Sequence, residues 1–422
     1  MARIAAVAVA ALTVLAACST GAPQRQGGSP VGHDGRPTVT VVVTPSPVAV
    51  PPTTITSPQA GRTVDPITPV TVTAAGGSLL DVVMRNPEGT VVTGAMADDG
   101  ARWQTTEPLG YSKTYSITAT AVNAAGRQTT TNMSVSTVTP GNMTMPYLNT
   151  EYGTPIANGG TYGVGMVVVV HFDEPIPDRA AAERLLQVTT TPAQAGSWYW
   201  LDSQNLHWRP ENYYQPGTQV TVKANVYGQD LGNGLYGQSD EGVSFTIGRK
   251  QVTVADDTVA GPGRIKVYDQ AGNVVRTMNT AMGRHGGTTV NGAYINFYTL
   301  NGSYTVLGHE NPASMCSDSY GLPANAPGGY ACENIPWATK ISVDGIYLHE
   351  LDTTLYAQSH GLDVSHGCLN LNRADAQWFF QNSLVGDPVV VKGAPGAPNV
   401  QVWQGGDWSL PWDQWLAGSA LH

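Results

Sequence analysis

Glycine and proline punctuate this chain so closely that almost no stretch is left long enough for a helix: 48 Gly and 29 Pro fall among 422 residues. The pieces between them are short and rich in Val, Thr and Tyr, residues that suit a pleated, half-buried surface. The expectation is a mainly β protein. At ~100–200 residues per domain the length allows two to four domains. Charged residues make up 12%, net charge is −10, and no basic run occurs anywhere. No nucleic acid is expected as a partner, because there is nothing to meet a phosphate backbone.

Residues 4–17 form an apolar run behind Arg3. The run is shorter than the ~20 residues of a spanning helix and reads as the core of a secretory signal. It ends in Leu15-Ala16-Ala17-Cys18, which resembles a bacterial lipobox, making Cys18 the lipidated first residue of an exported protein. The plainer alternative is an ordinary cleaved signal with Cys18 discarded. Residues 19–62, rich in Pro, Thr, Gly and Ser, cannot bury a core and read as a semi-rigid spacer between membrane and folded part.

Between 63 and 140, runs at 70–74, 79–85, 90–96, 115–122 and 133–138 alternate with turn residues. This spacing predicts a small β-sandwich. Residues 141–248 repeat the theme, with a helix expected over 178–187, so two tandem sandwiches fit better than one. His171 and His207 fall inside these strand runs and are expected to be structural, since neither has a Cys, Asp or second His at ligand spacing. Residues 249–393 are denser in strands, and one helix is expected over 373–384 with Asn372 as its N-cap. The tail, 394–422, carries Trp403, Trp408, Trp412 and Trp415. These rings must dock, most simply on the neighbouring third region, or else stack on carbohydrate.

Four cysteines narrow the function. Cys18 belongs to the anchor. Cys316 and Cys332 share one loop, with fifteen residues between them, and in an oxidising compartment the default is a disulfide. Cys368 is left over, in Val364-Ser365-His366-Gly367-Cys368-Leu369-Asn370, and His349 lies upstream with fifteen residues between it and Ser365. A nucleophilic Cys needs a base or an imidazolium partner, and a neighbouring Gly lets backbone N–H groups approach an oxyanion. The alternatives are zinc held by Cys368, His349, His366 and His360, against which stands the lack of CxxC and HExxH spacing, or a buried inert thiol.

This motif, with His349 ahead of it, resembles the signature of the L,D-transpeptidases. The wider layout of lipobox, two sandwiches, catalytic region and Trp-rich tail resembles the mycobacterial lipoprotein type of that family. The resemblance implies two immunoglobulin-like domains followed by a β-rich YkuD-type catalytic domain with one or two helices. It implies Cys368 as nucleophile and His349 as general base. Gly367 and Cys368 then form the oxyanion segment, Ser365, His366 and Asn370 shape the site, and Met315, Tyr320 and Tyr330 belong to a lid over the substrate channel. The implied reaction joins donor and acceptor peptidoglycan tetrapeptide stems by a 3→3 cross-link, without cofactor or metal, in a monomer tethered to the membrane. Two departures stand out: Glu350 replaces the Ser or Thr that commonly follows the base, and residues 352–355 are less typical. Strand alternation points the Glu350 side chain away from His349, which leaves its backbone carbonyl to orient the imidazole. A sortase-like enzyme using Arg373, or a wall-binding module without activity, are the competing readings; the Ser-His-Gly-Cys order and the intact His349/Cys368 pair argue against them.

Overall fold

The computed structural model describes residues 50–421. The expected signal, Cys18 and most of the spacer lie outside them. Among the described residues no helix is long and apolar enough to cross a membrane.

The first sandwich packs a sheet ordered Thr54–Thr56, Thr71–Ala75, Arg102–Thr105, Gly94–Met96 against one ordered Thr63–Val64, Gln128–Thr137, Thr114–Val122, Ser78–Arg85. Strict alternation drives it. In Thr114–Val122 the residues Tyr115, Ile117, Ala119 and Ala121 point inward, while Thr118 and Thr120 bond across to Asn132 and Thr130 on the wet face. Thr54–Thr56 falls in the stretch expected as spacer. Its Ile55 is buried in the sandwich core and its backbone extends the sheet, so the packed region begins before residue 63.

The second sandwich pairs Pro146–Asn149, Val168–Phe172, Asn205–Pro210 and Gly196–Trp200 against Thr161–Tyr162, Glu241–Ile247, Gln219–Ala224 and Leu186–Thr191. Its helix spans only Arg179–Arg184, capped by the Asp178 carboxylate on the Ala181 N–H. The expected extension to 187 fails because Leu186–Thr191 ladders with Gln219–Ala224, and a β-branched run gains more from that pairing than from another helical turn.

The third region holds a five-stranded sheet (Val274–Met278, Ile265–Tyr268, Val252–Asp256, Pro388–Lys392, Gly302–Thr305) and a four-stranded one (Gly308–Glu310, Ala338–Lys340, Tyr347–Glu350, Leu369–Leu371). Helix Arg373–Asn382, capped by Asn372 on the Asp375 N–H, buries Ala376 and Phe379 in the core these sheets share. A second, short helix spans Leu355–His360.

The Trp tail docks, but chiefly on the second sandwich rather than on the third region. The Arg209 guanidinium lies under the rings of Trp408, Trp412 and Trp415, at 4.7, 5.2 and 4.4 Å. The indole N–H groups of Trp408 and Trp415 donate to the carbonyls of Gly165 and Ser197. One cation shared by three ring faces, plus two satisfied indoles, makes a strap that a strand-by-strand reading could not foresee. Trp403 is the exception: it is 57% exposed. His207 is buried and donates to the Asp407 carboxylate of this tail, and His171 bonds Asn205, so both are structural.

Candidate active site

Cys368 and His349 come together through the parallel ladder between Tyr347–Glu350 and Leu369–Leu371. His349 stands opposite Asn370, and two residues back along each strand Cys368 stands beside Tyr347, whose backbone N–H points at the thiol. Paired residues of a parallel ladder share a face, so Tyr347, His349, Cys368 and Asn370 project to one side of the sheet. The His349 Nδ1–H donates to the Glu350 carbonyl at 3.0 Å. That is the bond alternation predicts: the tautomer is fixed, and Nε2 is left for the Cys368 side.

Burial sets the resting charge state. It pushes the Cys368 thiol up to about 11, with the Tyr347 N–H opposing and Asp344 adding to the shift. It pushes His349 down to about 4, against the pull of the Glu350 carbonyl. At neutral pH the pair rests as thiol and neutral imidazole. Of the two options left open by the sequence, base or imidazolium partner, this environment favours a neutral base.

The loop before the thiol is locked from within. The Ser365 hydroxyl donates to the Cys368 carbonyl at 2.6 Å and accepts from the Gly367 N–H at 3.1 Å. The Thr299 hydroxyl donates to the Gly367 carbonyl at 2.8 Å. Gly367 has φ +128°, a conformation side chains rarely adopt, which explains its glycine. Its N–H is therefore engaged with Ser365, and an oxyanion role for that group requires the hydroxyl to yield.

Cys368 opens into a cavity of about 810 Å³. Met315, Tyr320, Tyr330 and His366 line it. His366 sits 5.4 Å from Tyr330 and 4.8 Å from Phe297, ring to ring, with Nε2 2.7 Å from the Gly328 carbonyl and 2.9 Å from Arg284. Burial and then the Arg284 charge lower its basicity. Asn370 is buried, and its backbone bridges Ala281. The Glu350 side chain has a buried carboxylate oxygen without a partner. His360 is exposed and stacks on Tyr356. Among the described residues no three-ligand group includes Cys368.

Sequence reasoning missed part of the cavity wall. The hairpin Gly287–Val290/Ala293–Asn296 turns through Asn291-Gly292, both at positive φ, and carries Tyr294, which is 63% exposed. Asn-Gly is the strongest short hairpin signal, so this element was legible. Arg284, which holds His366 and lies 4.1 Å over Phe297, left no such trace.

Cys316 and Cys332 are joined in a disulfide that closes the lid, between Ala313–Met315 and Glu333–Ile335. Closing such a loop contributes ~3 kcal/mol in the chain-entropy model. The closed loop carries Tyr320 and Tyr330 against the cavity, so paired Cys316→Ser and Cys332→Ser substitutions are expected to raise KM for a peptide substrate, beside a Tm loss no larger than that ~3 kcal/mol implies. Unchanged KM with a large fall in Tm is the opposite result.

Residues 61–230, across both sandwiches, match the model for a bacterial Ig domain, and residues 258–391 match that for an L,D-transpeptidase catalytic domain. The chain is 40% identical over 366 residues to L,D-transpeptidase 2 of Mycobacterium tuberculosis, covering 87% of this chain and 84% of that one. It is 34% identical over 363 residues to L,D-transpeptidase 5 of the same organism, covering 84% and 74%. A solved LD transpeptidase, LdtMt1 in complex with imipenem, aligns with 58% of this chain and 99% of its own at 28% identity and a TM-score of 0.46.

Proposed function

The chain belongs to the L,D-transpeptidase family, and on that premise we propose that Cys368 is the nucleophile and His349 the general base of a 3→3 peptidoglycan cross-linking reaction. The observation that carries this reading is the parallel ladder that sets His349 and Cys368 on one face, with the thiol at the floor of a cavity large enough for a peptide.

The Cys368 sulfur attacks the carbonyl between the third and fourth residues of a donor tetrapeptide stem as its proton passes to His349 Nε2. The tetrahedral oxyanion collapses, the C–N bond breaks, and D-alanine leaves with the proton from His349. The thioester then meets the side-chain amine of an acceptor stem's third residue. That amine loses a proton to His349, the new amide forms, and the thiol is restored. Aminolysis outruns hydrolysis only where the cavity admits the amine and limits water, a task that suits the disulfide-closed lid and Tyr320 and Tyr330. No cofactor enters these steps.

Incubation with a disaccharide tetrapeptide should yield one D-alanine per cross-linked dimer, with the new bond between two third residues. Release of D-alanine without dimer would reduce the activity to hydrolysis, and neither product would sink the reading. A carbapenem should acylate Cys368 through the same thiol attack.

The apolar run ending in Leu15-Ala16-Ala17-Cys18 supports an exported protein anchored through Cys18 to the outer face of the membrane, and a monomer is proposed with it. A Cys18→Ser chain is expected in the soluble exported fraction, while the parent fractionates with membranes; equal membrane retention of both would overturn the anchor.

A further inference from the structure

Beneath the catalytic loop, three side chains from distant points of the chain converge: Asp257 at the end of strand Val252–Asp256, His285 before the Asn-Gly hairpin, and Asp363, five residues ahead of Cys368. Arg264 is buried between the two carboxylates. It reaches Asp257 Oδ1 at 2.8 Å and Asp363 Oδ1 at 2.5 Å, with a longer contact of 3.3 Å to Asp363 Oδ2. One guanidinium against two carboxylates leaves a negative charge uncompensated. The Asp257 side chain is fully buried, and its Oδ2 has no hydrogen-bond donor, a costly condition for a buried carboxylate oxygen.

That bare oxygen faces His285. Nε2 lies 3.6 Å from Asp257 Oδ2 and 3.5 Å from Asp363 Oδ2, too far for hydrogen bonds, and one ligand atom from each of the three residues lies within 4.8 Å of the other two. Ligands at zinc-bond lengths on a tetrahedron stand about 3.3–3.6 Å apart. The His285 side chain is 49% exposed and stacks on Tyr298, so the cluster has a route to solvent and a fixed imidazole.

We propose that Asp257, His285 and Asp363 form a site for one tetrahedral divalent cation of the zinc class, with water as the fourth ligand. Neither CxxC nor HExxH spacing marks such a site, since these ligands are 28 and 78 residues apart, counting from 257 to 285 and from 285 to 363. The site is separate from the thiol chemistry. Asp363 also accepts the Met282 N–H at 3.0 Å, and the Val364 and Ser365 N–H groups both donate to the Met282 carbonyl, so a bound cation would fix the root of the Ser365–Cys368 turn to the end of Val252–Asp256, the central strand of the five-stranded sheet. Calcium and magnesium, which want six or more oxygens, fit two carboxylates and an imidazole poorly.

The test is equilibrium dialysis against zinc at neutral pH, on the full chain carrying Cys18→Ser and Cys368→Ala, which removes both thiols outside the disulfide. One zinc per chain is expected, without displacement by calcium or magnesium. Adding His285→Ala, at a half-exposed position, should weaken binding at least ~10-fold, and Asp257→Asn should do the same, in chains whose thermal melt matches the parent. The proposal is overturned by absence of zinc binding, by undiminished affinity in the His285→Ala chain, or by preference for calcium.

Discussion

Cys368→Ala is expected to abolish both stem-peptide cross-linking and the covalent mass increase produced by a carbapenem, in a protein that still folds. The thiol is only partly exposed and touches a small satellite cluster of Ala313, Ala338 and Tyr347, apart from the main core of the region. Its donated contact, to the Gly345 carbonyl, is long at 3.6 Å. Deleting one sulfur there should cost about 1 kcal/mol, the scale of a single buried methylene. The loss of chemistry is total by comparison, since alanine offers no lone pair to the carbonyl. Intact mass after carbapenem treatment and a thermal melt read the two consequences separately. A folded Cys368→Ala protein that still gains the adduct mass would place the nucleophile elsewhere.

His349→Ala should slow acylation by about 10²-fold or more, the usual cost of removing a positioned general base. Glu350→Ser should keep most of the rate. The difference follows from which atoms of the two residues are used: the His349 ring receives the thiol proton, whereas Glu350 contributes its backbone carbonyl, which serine also has. The charge states add a pH signature. With His349 near 4 and Cys368 near 11, the reactive neutral pair persists between those values. The acylation rate is therefore expected to stay nearly flat from weakly acidic to weakly alkaline pH. As pH falls through about 4, His349 takes up a proton and the rate drops; a standing thiolate–imidazolium pair would instead give a bell. A collapse in Glu350→Ser equal to that of His349→Ala would mean that the carboxylate itself takes part.

Most of the β-strands were legible because alternation and turn residues act over a few positions. The inward Tyr115, Ile117, Ala119 and Ala121 are an example, as is the Asn372 cap of helix Arg373–Asn382. The candidate chemistry was legible for the same reason. Ser365, His366, Gly367 and Cys368 are contiguous, and the opposed directions of His349 and Glu350 follow from the pleat of one strand. The disulfide needed only an oxidising compartment and two cysteines in one loop. Local order failed where a competing partner lay far away in sequence, as when the helix ended at Arg184 so that Leu186–Thr191 could pair with Gln219–Ala224.

What only the tertiary structure decided has a common cause: burial and electrostatics depend on neighbours that arrive from elsewhere in the chain. The neutral resting pair is a product of desolvation beneath the lid, invisible in a motif that reads the same exposed or buried. Arg209 gathers three tryptophans more than 190 residues downstream. Asp257, His285 and Asp363 meet around one guanidinium although no short spacing links them. Periodicity carries information along the backbone, and so it determined the strands, the motif and the orientation of the base. Charge and packing act across space, and so the protonation of the base, the seat of the tail and the candidate cation site were set when the sheets closed on one another.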